Sequence, residues 1–349
     1  MKIAIDCRYL GMSGIGRYIE GILYGLDFSN NEYLFIGNEE KIKNYNTSGE
    51  IIADNSNPFS LRGLFIDKSI VKRINSCGAY FTPNFIIPYG IKVPIFSTIH
   101  DVIFMDMRKE TTRGFIDYAE KKYLLKRCMR KSKIVFTVSY FSAERINSYF
   151  SRYSDKIRVV YNGVPFAVEH YRNTHAAPLS KSNYMIYCGN IKKHKGLAVL
   201  LEAFEILRNN GNDIELKIVG EAKKHRISDT SVMKRFEMPG ISFTGSVNDE
   251  DLYGLIAEAK FLVQPSFYEG FGLPPLEALY LGTKPIISDI EVFKEIYSDM
   301  DVCFFKTGDS KDLAEKIAIT SSACDGIIDE KFNRKRMVGA ILKTIESNL

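Results

Sequence analysis

Two glutamates set eight residues apart, Glu269 and Glu277, bracket the segment Glu269-Gly-Phe-Gly-Leu-Pro-Pro-Leu-Glu277. It follows an apolar run, Phe261–Gln264, and leads into a helical pattern, so the arrangement reads as strand, loop, helix. Gly270 and Gly272 let backbone amides approach a ligand closely. The unpaired N–H groups of the following helix present a positive dipole end to the same space, which suits a phosphate or sugar oxygen. A carboxylate is a natural acceptor for hydroxyls, and Glu269 and Glu277 can serve two different hydroxyl-bearing parts of one ligand. A glycosidase pair is disfavoured. Its carboxyl groups stand roughly 5 to 9.5 Å apart, whereas eight residues of helix span about 12 Å. A tight turn with two solvated glutamates is the plain alternative, weakened by the combination of Glu, Gly-Phe-Gly, Pro and Glu between a strand and a helix.

Three further segments follow strand-like runs. Gly189-Asn-Ile-Lys-Lys-His-Lys-Gly196 offers Lys192, Lys193, His194 and Lys195 to a diphosphate without a metal, or else forms a solvated basic turn. Gly11-Met-Ser-Gly-Ile-Gly16 is a second anion cradle before a helix, although it lacks the GxGxxG spacing of a dinucleotide fold and alone reads as a flexible loop. Ser97-Thr-Ile-His-Asp101 ends a strand on His100 and Asp101, where a lone histidine is more often packed than catalytic.

These segments need a scaffold, and the chain supplies two. Strand-like runs at Lys2–Asp6, Tyr33–Gly37, Ala79–Thr82, Val93–Ile99, Ile134–Ser139 and Ile157–Tyr161 alternate with helical patterns at Gly16–Leu26, Thr111–Arg130 and Phe141–Phe150. Such alternation predicts parallel βαβ units with both sheet faces covered. After a polar stretch read as irregular, Glu169–Ser182, the pattern restarts with strands at Tyr184–Cys188, Ile214–Val219, Ile241–Thr244, Phe261–Gln264, Pro285–Ser288 and Val302–Phe305. The fold class is α/β, with two doubly wound Rossmann-like domains facing an interdomain cleft. Residues 1–165 form the first, 166–182 a linker, 183–325 the second, and 326–349 a C-terminal helix that can cross between them. Ligands of such sheets sit outside the carboxyl ends of the strands.

With 349 residues, 45% hydrophobic and 26% charged, the composition is that of a globular protein with room for two cores. The start, Met1-Lys-Ile-Ala-Ile-Asp6, reads as a strand and not as a secretory signal, and no apolar run reaches membrane-spanning length. Six dispersed cysteines form no CxxC pair, so a cytoplasmic location with reduced thiols is expected. No His/Cys cluster, HExxH or Asp-x-Asp pair suggests a tightly held metal. Residues 1–165 hold 24 Lys/Arg against 16 Asp/Glu, and 166–349 hold 23 against 26. The excess concentrates in Lys121–Lys133, with seven basic and no acidic residues. This run fits an anionic membrane surface or a solvated helix face. Nucleic acid is disfavoured because no stacking platform is interleaved with it.

Together these residues resemble the retaining GT-B glycosyltransferases of family 4, whose donor site is marked by Glu-x7-Glu. The likeness extends back through Phe243–Leu252 and on to Gly282–Asp289. It implies that Glu269 contacts the transferred sugar, that the amides around Phe271, Gly272 and Leu273 hold the sugar and phosphates, and that Glu277 holds the ribose. Gly14 and Gly16 would close over the donor diphosphate, His100 would contact donor sugar or phosphate, and Asp101 would orient the ring or touch the acceptor. Ser139, Ser142 and the Tyr161-Asn162-Gly163 step match positions lining the family's cleft. Lys195 matches the family lysine that neutralises the diphosphate, but Asn190 stands where members carry an arginine. That departure leaves the second positive charge to Lys192, Lys193 or His194. No cofactor or metal is implied beyond a nucleotide-sugar substrate, with GDP-mannose the first donor to expect. The acceptor would be a glycan or lipid-linked oligosaccharide of bacterial O-antigen or capsule synthesis. A sugar-nucleotide epimerase or hydrolase of the same fold and a non-catalytic nucleotide-sugar-binding protein are the alternatives.

Overall fold

The computed structural model describes residues 1–26, 31–45, 48–220, 235–236 and 238–349. Two compact units emerge. One comprises Met1–Phe166 with Glu330–Leu349, the other Ala167–Asp329.

The first unit is built on a seven-stranded sheet in the order β3-β2-β1-β4-β5-β6-β7. Its strands are β1 (Lys2–Asp6), β2 (Glu32–Gly37), β3 (Glu50–Ala53), β4 (Ala79–Thr82), β5 (Ile95–Thr98), β6 (Ile134–Thr137) and β7 (Ile157–Val159), paired in parallel. β4, β5 and β6 are buried at every residue, as a sheet covered on both faces requires. The edge strand β3 escapes the sequence reading because its apolar residues are only Ile51, Ile52 and Ala53 and none is fully buried. The helix Arg334–Ser347 returns to this unit, where Met337, Val338, Ile341 and Ile345 share a core with Ile19, Ile22 and Leu23 of the helix Ser13–Leu23.

The second unit carries a six-stranded parallel sheet in the order β10-β9-β8-β11-β12-β13. Here β8 is Ser182–Cys188, β9 Glu215–Val219, β10 Ile241–Gly245, β11 Ala259–Gln264, β12 Lys284–Ser288 and β13 Cys303–Phe305. One correction concerns the polar stretch after residue 165. Phe166–Thr174 is a helix whose buried side chain is Val168. Polar residues at Glu169, His170, Arg172 and Asn173 hide its short apolar stripe from a periodicity reading.

In both sheets the strand order reverses beside the first strand of the unit, between β1 and β4 and between β8 and β11. Loops leaving the carboxyl ends on either side of such a reversal splay apart and leave a crevice, the usual ligand position of this topology.

Candidate functional site

The two motif-bearing loops of the second unit leave β8 and β11, the strands that flank its reversal point. The loop after β8 tightens into a 3-10 turn, Lys193–Lys195, and ends on Gly196 in the left-handed region at φ 69°, which also opens the helix Leu197–Asn209. Gly196 is required for a second reason. A Cβ there would stand 1.8 Å from the carbonyl oxygen of Pro265, the first residue after β11. A backbone hydrogen bond from Phe267 N–H to the His194 carbonyl, 2.8 Å, fastens the two loops at the same place.

This close approach brings Lys195 onto Glu269. The ammonium nitrogen lies 2.7 Å from both carboxylate oxygens of Glu269. The two oxygens are not equivalent. Oε1 also accepts from the Ser266 hydroxyl at 2.8 Å and from the Gln264 amide at 3.3 Å, and Gln264 Nε2 in turn donates to Ser266 Oγ at 2.9 Å. Among the described residues, Oε2 accepts from Lys195 alone. Glu269 is only 8% exposed and Ser266 and Gln264 less still, so the relay is held in a low-dielectric setting where each bond is strengthened. Gln264 and Ser266 were not identified from the sequence, since one looks like the end of an apolar strand and the other like a turn residue.

Past Glu269 the backbone turns at Gly272, φ 87°, which caps the N-terminus of the helix Leu273–Tyr280, with prolines in its first turn. A side chain at 272 would overlap the ring of Phe293 at 2.4 Å, and the Gly272 carbonyl accepts a hydrogen bond from the Tyr297 hydroxyl. Phe271 is buried and Leu273 half-buried at the mouth of this turn. Glu277 is buried within the helix. Its charge adds to burial in pushing the Cys188 thiol at the end of β8 well up, and with Glu269 it does the same to the buried Tyr297 phenol.

Asn190 is exposed, and its carbonyl receives the Tyr187 hydroxyl at 3.4 Å. Of the three groups proposed to supply the second positive charge in its place, one is removed. His194 is buried, and burial together with the neighbouring Lys195 charge lowers its pKa to about 4, so it is neutral near pH 7. Lys192 and Lys193 are exposed and remain.

In the first unit, Gly14 and Gly16 sit in the opening turn of the helix Ser13–Leu23 but differ in surroundings. A Cβ on Gly14 would meet no atom within 4 Å, whereas one on Gly16 would press on the backbones of Tyr9 and Gly11 at 3.1 to 3.3 Å. His100, after β5, holds its Nε2 2.9 Å from the Pro83 carbonyl at the end of β4 and packs edge-on against Tyr18, centroids 4.8 Å apart. Burial lowers its pKa to about 4. The neutral ring therefore donates from Nε2–H and keeps Nδ1 as an acceptor. Asp101 accepts the Ile103 N–H at 3.0 Å. Ser139 caps the helix Tyr140–Phe150, and the Ser142 hydroxyl donates to the His100 carbonyl. Gly163 stands against the backbone of Arg334.

A buried cluster at the end of β1 has no counterpart in the sequence reading. Asp6 receives Arg8 Nε at 2.8 Å, Arg8 Nη2 at 2.7 Å and the Tyr80 hydroxyl at 2.7 Å, while Arg8 Nη1 reaches the Gly63 carbonyl. Every charged hydrogen bond here is internal, the signature of a structural clamp on the β1–β4 reversal.

Residues 172–322 match the family model of glycosyl transferases group 1. The chain is 28% identical over 231 residues to the O-antigen chain mannosyltransferase B of Escherichia coli, covering 63% of this chain and 59% of that one. It is 30% identical over 187 residues to the O-antigen chain mannosyltransferase RfbU of Salmonella typhimurium, covering 53% and 50%. The chain thus spans between half and three-fifths of these curated relatives. Among solved structures, HepE of Anabaena in complex with UDP-glucose superposes with a TM-score of 0.74 at 14% identity, over 99% of this chain and 100% of that one. WaaG, a glycosyltransferase involved in lipopolysaccharide biosynthesis, gives 0.64 at 15%, over 99% and 93%. The chain therefore has the GT-B fold of two Rossmann-like domains, and the match to the glycosyl transferases group 1 model falls within its second unit.

Proposed function

We propose that this protein is a retaining, metal-independent hexosyltransferase that moves a sugar from a nucleotide sugar to a glycan or lipid-linked oligosaccharide in O-antigen or capsule synthesis. One observation carries the reading. The Lys195–Glu269 pair leaves one hydrogen-bond donor and one acceptor unfilled side by side. An ammonium has three N–H groups, and Lys195 directs its bonds to Glu269 alone among the described residues, so an N–H remains for a phosphate oxygen. Among the described residues Glu269 Oε2 has a single partner and so keeps capacity for a sugar hydroxyl, while Oε1 is fixed by Ser266 and Gln264. A lysine for the phosphate and a carboxylate for the sugar, joined to each other, suit a molecule in which sugar and phosphate are adjacent.

In this mechanism the diphosphate leaves and the acceptor hydroxyl attacks the same face of the sugar, a phosphate oxygen of the leaving group taking its proton. Lys195, the amides at Phe271, Gly272 and Leu273 and the helix they open stabilise the charge that grows on the diphosphate. Glu277 takes the ribose, and Lys192 or Lys193 supplies the cation that Asn190 does not. In the first unit, Gly14, Gly16 and His100 are assigned to the donor, His100 as a neutral imidazole that accepts a hydroxyl at Nδ1, and Asp101 to the acceptor. GDP-mannose is the preferred donor because the relatives above are named mannosyltransferases. The Lys121–Lys133 run is assigned to an anionic membrane that carries the acceptor.

The test is a thermal-shift panel of nucleotide sugars followed by product analysis with the stabilising donor. A ligand at a hundredfold its Kd stabilises the fold by about 2.7 kcal/mol. GDP-mannose should give the largest shift, and Lys195→Ala and Glu269→Ala should remain folded and abolish transfer with retained anomeric configuration. Near-normal turnover by both variants would overturn the assignment.

A further inference from the structure

The first unit exposes more apolar surface in one place than its fold needs. Phe115 and Ile116, the first two residues of the helix Phe115–Lys131, are 71% and 83% exposed, and Tyr123, two turns on, is 54% exposed. From Ile116 the same face runs through Ala119 and Tyr123 to Lys126 and Arg130, at the i, i+3, i+7 spacing of one helix stripe, with Phe115 and Lys122 beside it. The cluster continues onto a neighbouring segment. The Tyr123 hydroxyl lies 3.2 Å from that of Tyr89, and Tyr89 stacks on Phe65 with centroids 4.7 Å apart. Phe65 is 63% exposed and follows Leu61, 73% exposed. Arg127 fixes the arrangement from below. Its guanidinium lies 4.0 Å from the Tyr89 ring centre and bonds to the carbonyls of Ile87 and Pro88.

The basic groups around this cluster are not paired off. Lys121 is, to Asp117 at 2.8 Å, but Lys122, Lys126 and Arg130 have no acidic partner among the described residues. Large exposed aromatic and aliphatic side chains beside unneutralised lysines and arginine is the pattern of a helix that lies in a bilayer interface. The apolar groups enter the headgroup boundary while the cations meet anionic lipid. A protein partner of matching acidic and apolar character is the competing occupant. It is less favoured because the helix stripe changes along its length, from Phe115 and Ile116 at one end to Lys126 and Arg130 at the other, as an obliquely seated interfacial helix would.

We propose that the face formed by Leu61, Phe65, Phe115, Ile116 and Tyr123, ringed by Lys122, Lys126 and Arg130, seats the protein on an anionic membrane by shallow insertion together with charge. This deepens the functional reading above by giving the membrane contact an apolar anchor that the basic run alone lacks. Its test contains neither donor nor acceptor, so its failure leaves the sugar-transfer reading standing and reaches only the membrane assignment of the basic run.

The experiment is flotation of the full chain with phosphatidylcholine vesicles, with and without phosphatidylglycerol, at low and high salt. The protein should float with the anionic vesicles only. Lys122→Ser/Lys126→Ser/Arg130→Ser should weaken binding by about fivefold per residue and roughly a hundredfold together. Phe115→Ser/Ile116→Ser should weaken it at least about tenfold while leaving the salt dependence unchanged, because insertion and charge act separately. Circular dichroism confirms that both variants fold, since the altered side chains are exposed. Absence of flotation at low salt, or unchanged binding by the Phe115/Ile116 variant, would overturn the proposal. So would a concentration-dependent dimer that this variant abolishes, which would assign the face to a second copy of the chain.

Discussion

Replacing Gly196 by alanine tests whether the meeting of the β8 and β11 loops builds the site. Gly196 lies at φ 69°, where an L-residue costs roughly 1–2 kcal/mol. The added Cβ would begin 1.8 Å from the Pro265 carbonyl oxygen, and a contact must open to at least 3.0 Å to be tolerated. The obstacle is backbone at the end of a buried strand, so it cannot swing aside as a flexible side chain would. Opening the gap pulls against the Phe267-to-His194 hydrogen bond, whose loss adds about 0.5–1.5 kcal/mol. With residual overlap, the second unit should lose about 3–5 kcal/mol. The same displacement separates Lys195 from Glu269, and misplacement on the order of 1 Å costs about a hundredfold in rate. The chain contains no tryptophan, so urea unfolding is best followed by far-UV circular dichroism, with turnover measured well below the midpoint. Gly14→Ala is the control for stability alone, since Gly14 is itself assigned to the donor. Its Cβ would meet nothing within 4 Å, and stability should change by less than about 1 kcal/mol in either direction. A Gly196→Ala variant with unchanged midpoint and turnover would refute the reasoning, because the clash is set by backbone positions alone.

Lys195→Met should lower stability by about 2 kcal/mol, less than the full cost of breaking a buried pair because the lysine side chain is 23% exposed. Combined with Glu269→Gln in a double-mutant cycle of thermal unfolding, it should show a coupling of at least about 1 kcal/mol, and a coupling near zero would mean the pair does not form in solution. Acid should weaken the fold through two imidazoles buried among the described residues. His100 and His194 titrate near pH 4 in the native state against about 6.5 when unfolded. The unfolded chain therefore takes up their protons first. Stability is fully present above about pH 6.5, falls between 6.5 and 4, and levels off below, by up to roughly 3 kcal/mol for each ring. Urea midpoints at pH 7.5 and 5.0 check this, and His100→Gln or His194→Gln should each flatten the dependence; a variant as steep as the wild type contradicts it.

The parallel sheets were legible because both faces are covered, which prints consecutive apolar residues into β4, β6 and β11. β3 was not, since an edge strand buries little, nor was the helix Phe166–Thr174, whose single buried residue leaves no period. Within the candidate site the same distinction recurs at the level of chemistry. Glu269 could be singled out because a carboxylate keeps its character wherever it pairs, and Lys195 because it matches the lysine position of the resembled family. His194 could not be judged in the same way. In the sequence it is one of four adjacent cationic groups, and only its burial beside Lys195 turns it into a neutral ring. Gly14 and Gly16 look alike in the chain, yet one faces open space and the other underpins the turn between Tyr9 and Gly11. Gln264 and Ser266 reverse the problem. Neither residue type draws attention, but together they saturate one oxygen of Glu269 and leave the other available, an asymmetry that follows from the distance between the end of β11 and the loop it feeds. A motif thus reports the groups whose function is their charge, while selectivity within the carboxylate is decided by neighbours whose contribution is position. A substitution at Ser266 should accordingly be felt in how the sugar is oriented more than in whether the diphosphate binds.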